Sequence, residues 1–170
     1  MKNLIAYFSH EKENYVDGEI KVLDIGNTKI IAQKIYKIIN ADIFEIKPLH
    51  EYPDTYHDCT ALAKRELAQN ARPKIKNIVS HIEEYDNIYL GFPNWWSTMP
   101  MCIWTFLESY DFSNKNIYPF CTHEGSGMGR SERDIETLCT TSQVHKGLAI
   151  RGSQVLNSDT HILQWLENNM

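Results

Sequence analysis

Short apolar runs alternate with amphipathic stretches along the whole chain. Residues 4–8, Leu-Ile-Ala-Tyr-Phe, are continuously apolar and read as a buried strand. A polar excursion follows over residues 10–25. Inside it, Val16-Asp17-Gly18-Glu19 predicts a tight turn, because Asp-Gly readily takes positive φ. Residues 28–39 predict a helix, since Ile31, Ile35, Ile38 and Ile39 recur at helical spacing on one face. Residues 42–46 read as a second strand. A loop rich in Tyr and Pro covers 48–56, and a helix covers 58–70. A third strand, 87–92, ends at Pro93. Pro100 suits the first turn of the next helix, because it lacks only an N–H that has no partner there. That helix runs to residue 110 and turns Ile103, Phe106 and Leu107 inward. Residues 116–121 read as a fourth strand, followed by a glycine-rich loop over 125–129 and a helix over 131–139. A short fifth strand, 147–150, and a helix over 158–168 close the pattern.

Five strands alternating with helices predict an α/β fold, a three-layer sandwich in which a five-stranded parallel sheet carries helices on both faces. With no repeat, low-complexity tract or linker, residues 1–170 read as one domain. In such sheets a ligand lies beyond the carboxyl ends of the strands, where the strand order reverses. The segments after strands one, three and four should then hold the chemistry, and these are the unusual ones.

The first is Gly26-Asn27-Thr28, which opens a helix. A helix N-terminus offers unpaired N–H groups and a positive dipole end to a phosphate. Thr28 adds a hydroxyl, and Ser9, with His10 beside it after strand one, is a second candidate donor. The plain alternative is that Asn27 or Thr28 merely caps the helix. The segment has neither the lysine of a P-loop nor the spacing of a dinucleotide fingerprint. The second segment, Pro93-Asn94-Trp95-Trp96, sets two tryptophans in a polar loop. A flat aromatic ligand explains them by stacking and enclosure, and packing beneath the loop is the alternative. Neighbours in an extended loop point opposite ways, so one tryptophan is expected to stack. Trp96 is favoured, because the loop must turn away from the strand before Pro100. The third segment is Thr122-His123-Glu124-Gly125-Ser126-Gly127, whose glycines let backbone N–H groups approach a ligand closely. His123 and Glu124 suit acid–base chemistry, but no activated nucleophile accompanies them, and Ser126 lies outside a nucleophile elbow. A glycine loop without a ligand is the alternative. Taken together, one phosphate-binding end and two loops suited to a flat ring describe a mononucleotide with a large aromatic base. FMN matches best.

Composition narrows the classes. The chain has 170 residues, enough for one sizeable core. The net charge is -5, which argues against nucleic acid, whose binding needs a basic patch, and suits docking on basic partner surfaces. Residues 4–8 are too short for a signal segment, and no stretch is long enough to span a membrane, so a cytoplasmic protein is expected. Cys59, Cys102, Cys121 and Cys139 are widely spaced and read as free thiols of a reducing compartment. His50, His57 and Cys59 lie close together but read as a polar loop, so no metal site is expected.

These motifs resemble the flavodoxin family over nearly the whole chain. The family's phosphate loop reads Ser/Thr-x-Thr-Gly-x-Thr directly after strand one. Here Ser9 and Gly26-Asn27-Thr28 look like its two ends, split by an insertion. Tyr7-Phe8-Ser9, and Gly26-Asn27-Thr28 followed by Ala32, are similar to one bacterial branch that carries such an insertion. The segment from Pro93 to Trp96 looks like the family's first ring-binding loop, and that from Thr122 to Gly127 like its second. The resemblance, not the residue pattern, implies the strand order 2-1-3-4-5 with FMN at the switch point. It also implies electron shuttling between redox partner proteins, a reductase and acceptor enzymes. Two features depart from the family. The second loop lacks the tyrosine that stacks on the flavin in many members. Its Gly-Ser-Gly character and the spacing of Pro93 and Pro100 are closer to NAD(P)H-dependent flavin and quinone reductases of the same fold. An electron carrier is therefore the first expectation, an NAD(P)H-dependent FMN oxidoreductase the second, and a binding module without flavin the third.

Overall fold

The computed structural model describes residues 1–169. Its strands, in chain order, are β1 (Asn3–Tyr7), β2 (Lys12–Val16), β3 (Glu19–Leu23), β4 (Asp42–Glu45), β5 (Asn87–Pro93), β6 (Asn116–His123), β7 (Gln143–Val144) and β8 (Leu148–Arg151). Its α-helices are α1 (Asn27–Ile38), α2 (Tyr56–Ala68), α3 (Met101–Glu108), α4 (Ser131–Leu138) and α5 (Asp159–Glu167). The main sheet runs β4-β1-β5-β6-β7 with every pair parallel, and β8 also pairs with β6. With the main-sheet strands numbered in chain order, this is the order 2-1-3-4-5.

The fifth position differs from the single strand expected there. β7 pairs with the start of β6, at Asn116 and Ile117, and β8 with its end, from Phe120 to His123. Between them the His145 ring lies flat on Tyr118, 4.3 Å between centres, and Nε2 shares a hydrogen bond with Asn116 Oδ1. The chain leaves the ladder at that point.

Alternation along β1 builds the two cores. Ile5 and Tyr7 face one side, with Ile31, Ala32 and Ile35 of α1 and Ile162, Trp165 and Leu166 of α5. Leu4 and Ala6 face the other, with Cys59 of α2, Cys102, Ile103 and Phe106 of α3, and Ile135 of α4. Each large apolar side chain buried this way contributes about 1.5–3 kcal/mol. The four cysteines are buried and unpaired.

The polar excursion folds as an antiparallel hairpin, β2–β3. Asp17 and Gly18 form its turn at φ 54° and 86°, where the Asp-Gly pair predicts it. The hairpin rests on α2. Glu13 Oε2 accepts the Tyr56 N–H at 2.8 Å, and the Glu13 N–H donates to Asp54 O at 3.1 Å. Helix α2 begins two residues earlier than the apolar pattern suggests, because Thr55 Oγ1 accepts the Asp58 N–H and caps it. Among the described residues no helix is long and apolar enough to cross a membrane.

Candidate functional site

Three connections leave the carboxyl edge of the sheet side by side and enclose, with the hairpin and α2, a cavity of about 260 Å³. The first connection ends at α1. Of its first N–H groups, that of Lys29 donates to Ser9 Oγ at 3.1 Å, so Ser9 caps the helix from twenty residues away. The N–H groups of Asn27 and Thr28 have no acceptor within the helix. Thr28 is buried, and its hydroxyl meets the Thr122 hydroxyl at 2.8 Å, which joins the first connection to the third.

The second connection is a tight turn and not the extended loop expected from the sequence. The Trp95 N–H donates to Thr98 O at 2.9 Å, and the Thr98 N–H donates back at 3.3 Å. Trp96 and Ser97 between them are left-handed, at φ 55° and 68°, a geometry usually left to Asn-Gly pairs. The turn separates the two tryptophans. Trp95 packs edge-on against Tyr52 at 4.8 Å, Phe8 at 5.4 Å and His10 at 5.8 Å. Trp96 stands on the rim, 46% exposed; its Nε1–H donates to Thr60 O at 3.1 Å, and the Lys64 ammonium lies 5.1 Å from its ring centre.

The third connection is fastened to the second. The Asn94 N–H donates to Thr122 O at 2.8 Å, the Asn94 side-chain amide to Gly127 O at 2.7 Å, and the Arg130 N–H to Ser97 O at 2.8 Å. It also meets the hairpin, since the Asp17 N–H donates to Glu124 Oε2 at 2.9 Å and Arg151 Nε lies 3.8 Å from the same oxygen.

Eleven of the expected residues line the cavity: His10, Asn27, Thr28, Pro93, Asn94, Trp95, Trp96, Thr122, His123, Glu124 and Ser126. Ser9, Gly125 and Gly127 stand outside the lining. Ser9 accepts the Lys29 N–H at the start of α1, and Gly127 offers its carbonyl to Asn94. Sequence reasoning missed Glu13, Asn14 and Tyr15 of the hairpin and Tyr56, Cys59, Thr60 and Ala63 of α2. The Asp-Gly turn was the one signal for the hairpin; the α2 wall had none.

Two buried polar atoms on this lining, His10 Nε2 and Glu124 Oε1, have no hydrogen-bond partner. Such an atom costs about 1–3 kcal/mol, so the lining suits a polar ligand. Its apolar wall of Tyr56, Ala63, Pro93, Trp95 and Trp96 suits a flat ring. Burial pushes the Cys59 thiol up to about 12 and leaves it inert.

Burial also holds His10 below the ordinary imidazole value, against the opposing pull of Asp54 and Glu11. The folded state thus favours the neutral ring. Stability from His10 is fully present above the unfolded value of about 6.5 and is lost as pH falls through the lower folded value. Urea unfolding between pH 8 and pH 5 should show a smaller loss for His10→Asn than for the unchanged protein. Identical pH curves would remove His10 from this account.

The flavodoxin family matches the chain over residues 21–169. A flavoprotein of Bacteroides uniformis is 28% identical, with a TM-score of 0.77 over 98% of this chain and 97% of that one. A second, from Bacteroides eggerthii, is 24% identical, with a TM-score of 0.73 over 95% and 98%. A flavoprotein of Lactobacillus acidophilus in complex with FMN is 21% identical, with a TM-score of 0.68 over 94% and 98%. The last two likenesses bear on the fold alone. No curated protein matches the sequence.

Proposed function

The chain belongs to the flavodoxin family, and from this we propose that it binds one FMN in the cavity and carries electrons between larger redox proteins. One observation carries the reading. The start of α1, the Trp95–Thr98 turn and the segment from Thr122 to Ser126 meet around a single cavity, whose lining includes two unpartnered polar atoms. The N–H groups of Asn27 and Thr28 would take the phosphate, with His10 nearby and Ser9 holding the helix in place. The ring would lie between the tryptophan turn and the loop from Thr122 to Gly127, with Trp96 stacked on it. Bound FMN would supply the capacity to accept electrons and return them. The residues around it would bind and orient it, and the half-buried Glu124 carboxylate would place a negative charge at the cavity wall. Partners would be a reductase and acceptor enzymes, and the unpaired thiols suit the cytoplasm.

No tyrosine stands between Thr122 and Gly127, and this favours a second reading, an NAD(P)H-dependent oxidoreductase with an open ring face. An anaerobic titration of the yellow protein separates the two. A carrier keeps its flavin absorbance when NAD(P)H is added and loses it with dithionite. Rapid bleaching by NAD(P)H alone would overturn the carrier reading, and failure to take up FMN would overturn both.

A further inference from the structure

The hairpin β2–β3 lies outside the main sheet, yet it gathers exposed apolar side chains. Tyr15, Ile20, Val22 and Ile25 are all exposed, Val22 at 70%. Cross-strand register sets Tyr15 opposite Ile20 and Glu13 opposite Val22. Alternation along each strand therefore brings Tyr15, Ile20 and Val22 to one face together with Glu13, and Ile25 follows just beyond the end of β3. Glu13 and Tyr15 also line the cavity, so this face begins at the cavity mouth. Its ties to the rest of the molecule run through β2 and the turn, by way of Glu13 and Asp17, and leave β3 facing outward.

Exposed acids outnumber exposed lysines along the same segment. Glu11, Asp17, Glu19 and Asp24 stand along the excursion, against Lys12 and Lys21. Asp54 and Asp58, exposed at the start of α2, carry the same sign beside the mouth. An apolar strip on a segment where acids outnumber lysines suits a surface that meets a partner: long-range attraction orients the encounter, and apolar contact holds it at close range.

We propose that this face of the hairpin is the docking surface for the electron-exchange partner, a protein whose own redox centre opens through an apolar patch ringed by lysine and arginine. The proposal rests on the carrier reading above and adds to it where the partner sits.

The probe is an oxidised, lysine-rich c-type cytochrome. It is titrated at low ionic strength into the oxidised, FMN-loaded protein, and amide NMR shifts are followed. Both proteins are oxidised, so no electron moves and docking alone is read. Amides of residues 12–24 are expected to shift. Glu19→Lys with Asp24→Lys should weaken binding by about tenfold or more. Glu136→Lys with Glu167→Lys makes the same change in net charge on exposed positions of α4 and α5. It should weaken binding several-fold less than the hairpin pair does, because those charges lie on helices outside the proposed contact. Val22→Ser should weaken binding with FMN affinity unchanged. Equal weakening by the two double variants, or no binding of the cytochrome, would overturn the proposal. So would loss of FMN affinity on changing Glu19 and Asp24, which would make the hairpin a cover for the cofactor. Failure of the carrier reading would show differently, as a docked complex that passes no electron once the protein is reduced.

Discussion

Replacing Gly129 with alanine is expected to lower stability by about 2–5 kcal/mol and to weaken FMN binding. Gly129 is left-handed, at φ +55°, a conformation that costs an alanine about 1–2 kcal/mol. A Cβ there would lie 2.3 Å from Ser97 O and 2.8 Å from Ser97 C. Both are backbone atoms of the tryptophan turn, so no side-chain rotation relieves the contact, and overpacking of this kind costs about 1–3 kcal/mol. The change pushes apart the two connections that the Arg130 N–H to Ser97 O bond holds together. Gly127 is the control. It is also left-handed, at φ +60°, but a Cβ there meets nothing within 4 Å. Gly127→Ala should therefore cost only the backbone share, about 1–2 kcal/mol. Urea unfolding and FMN titration of both variants check the difference, and equal losses would mean that contact with Ser97 contributes nothing.

The second large effect divides the two tryptophans. Trp95 packs against Phe8, Tyr52 and His10 at the edge of a core, so Trp95→Ala should cost about 3 kcal/mol of stability. Trp96 is 46% exposed, and Trp96→Ala should leave stability within about 0.5 kcal/mol. If Trp96 stacks on the ring, its removal forfeits the roughly 0.5–1.5 kcal/mol of an aromatic pair and the area buried with it. FMN affinity should then fall by about tenfold. Unfolding midpoints and FMN titrations of the two single variants give both quantities. Unchanged FMN affinity in Trp96→Ala would leave the ring without its proposed partner.

Both predictions turn on contacts that the sequence does not spell out. The tryptophan pair marks its loop as unusual, but extended-chain alternation misplaces it, because a left-handed turn at Trp96 and Ser97 replaces the extended loop. That turn is held from outside by Arg130 and Asn94 through bonds to the neighbouring connections. Ser9 reads as a phosphate donor by proximity to a motif, and only the structure adds that its hydroxyl oxygen accepts the Lys29 N–H. The hairpin announces its turn through Asp-Gly, but its strands, rich in charge, show no clean alternation from which their pairing could be read.

The sequence by itself determined the alternation of buried strands and two-faced helices, and with it the sheet edge where a ligand belongs. Burial on both faces demands unbroken apolar runs such as residues 4–8, and a helix on a sheet demands apolar positions at helical spacing, as at Ile31 and Ile35. These demands are local, so they are written locally. The tertiary structure alone decided that His145 on Tyr118 splits the fifth strand, that Trp95 turns inward while Trp96 stays on the rim, and that α2 and the hairpin wall the cavity. Each depends on a hydrogen bond or ring contact between residues distant in the chain, and a periodic pattern carries no record of which distant partner a side chain will meet.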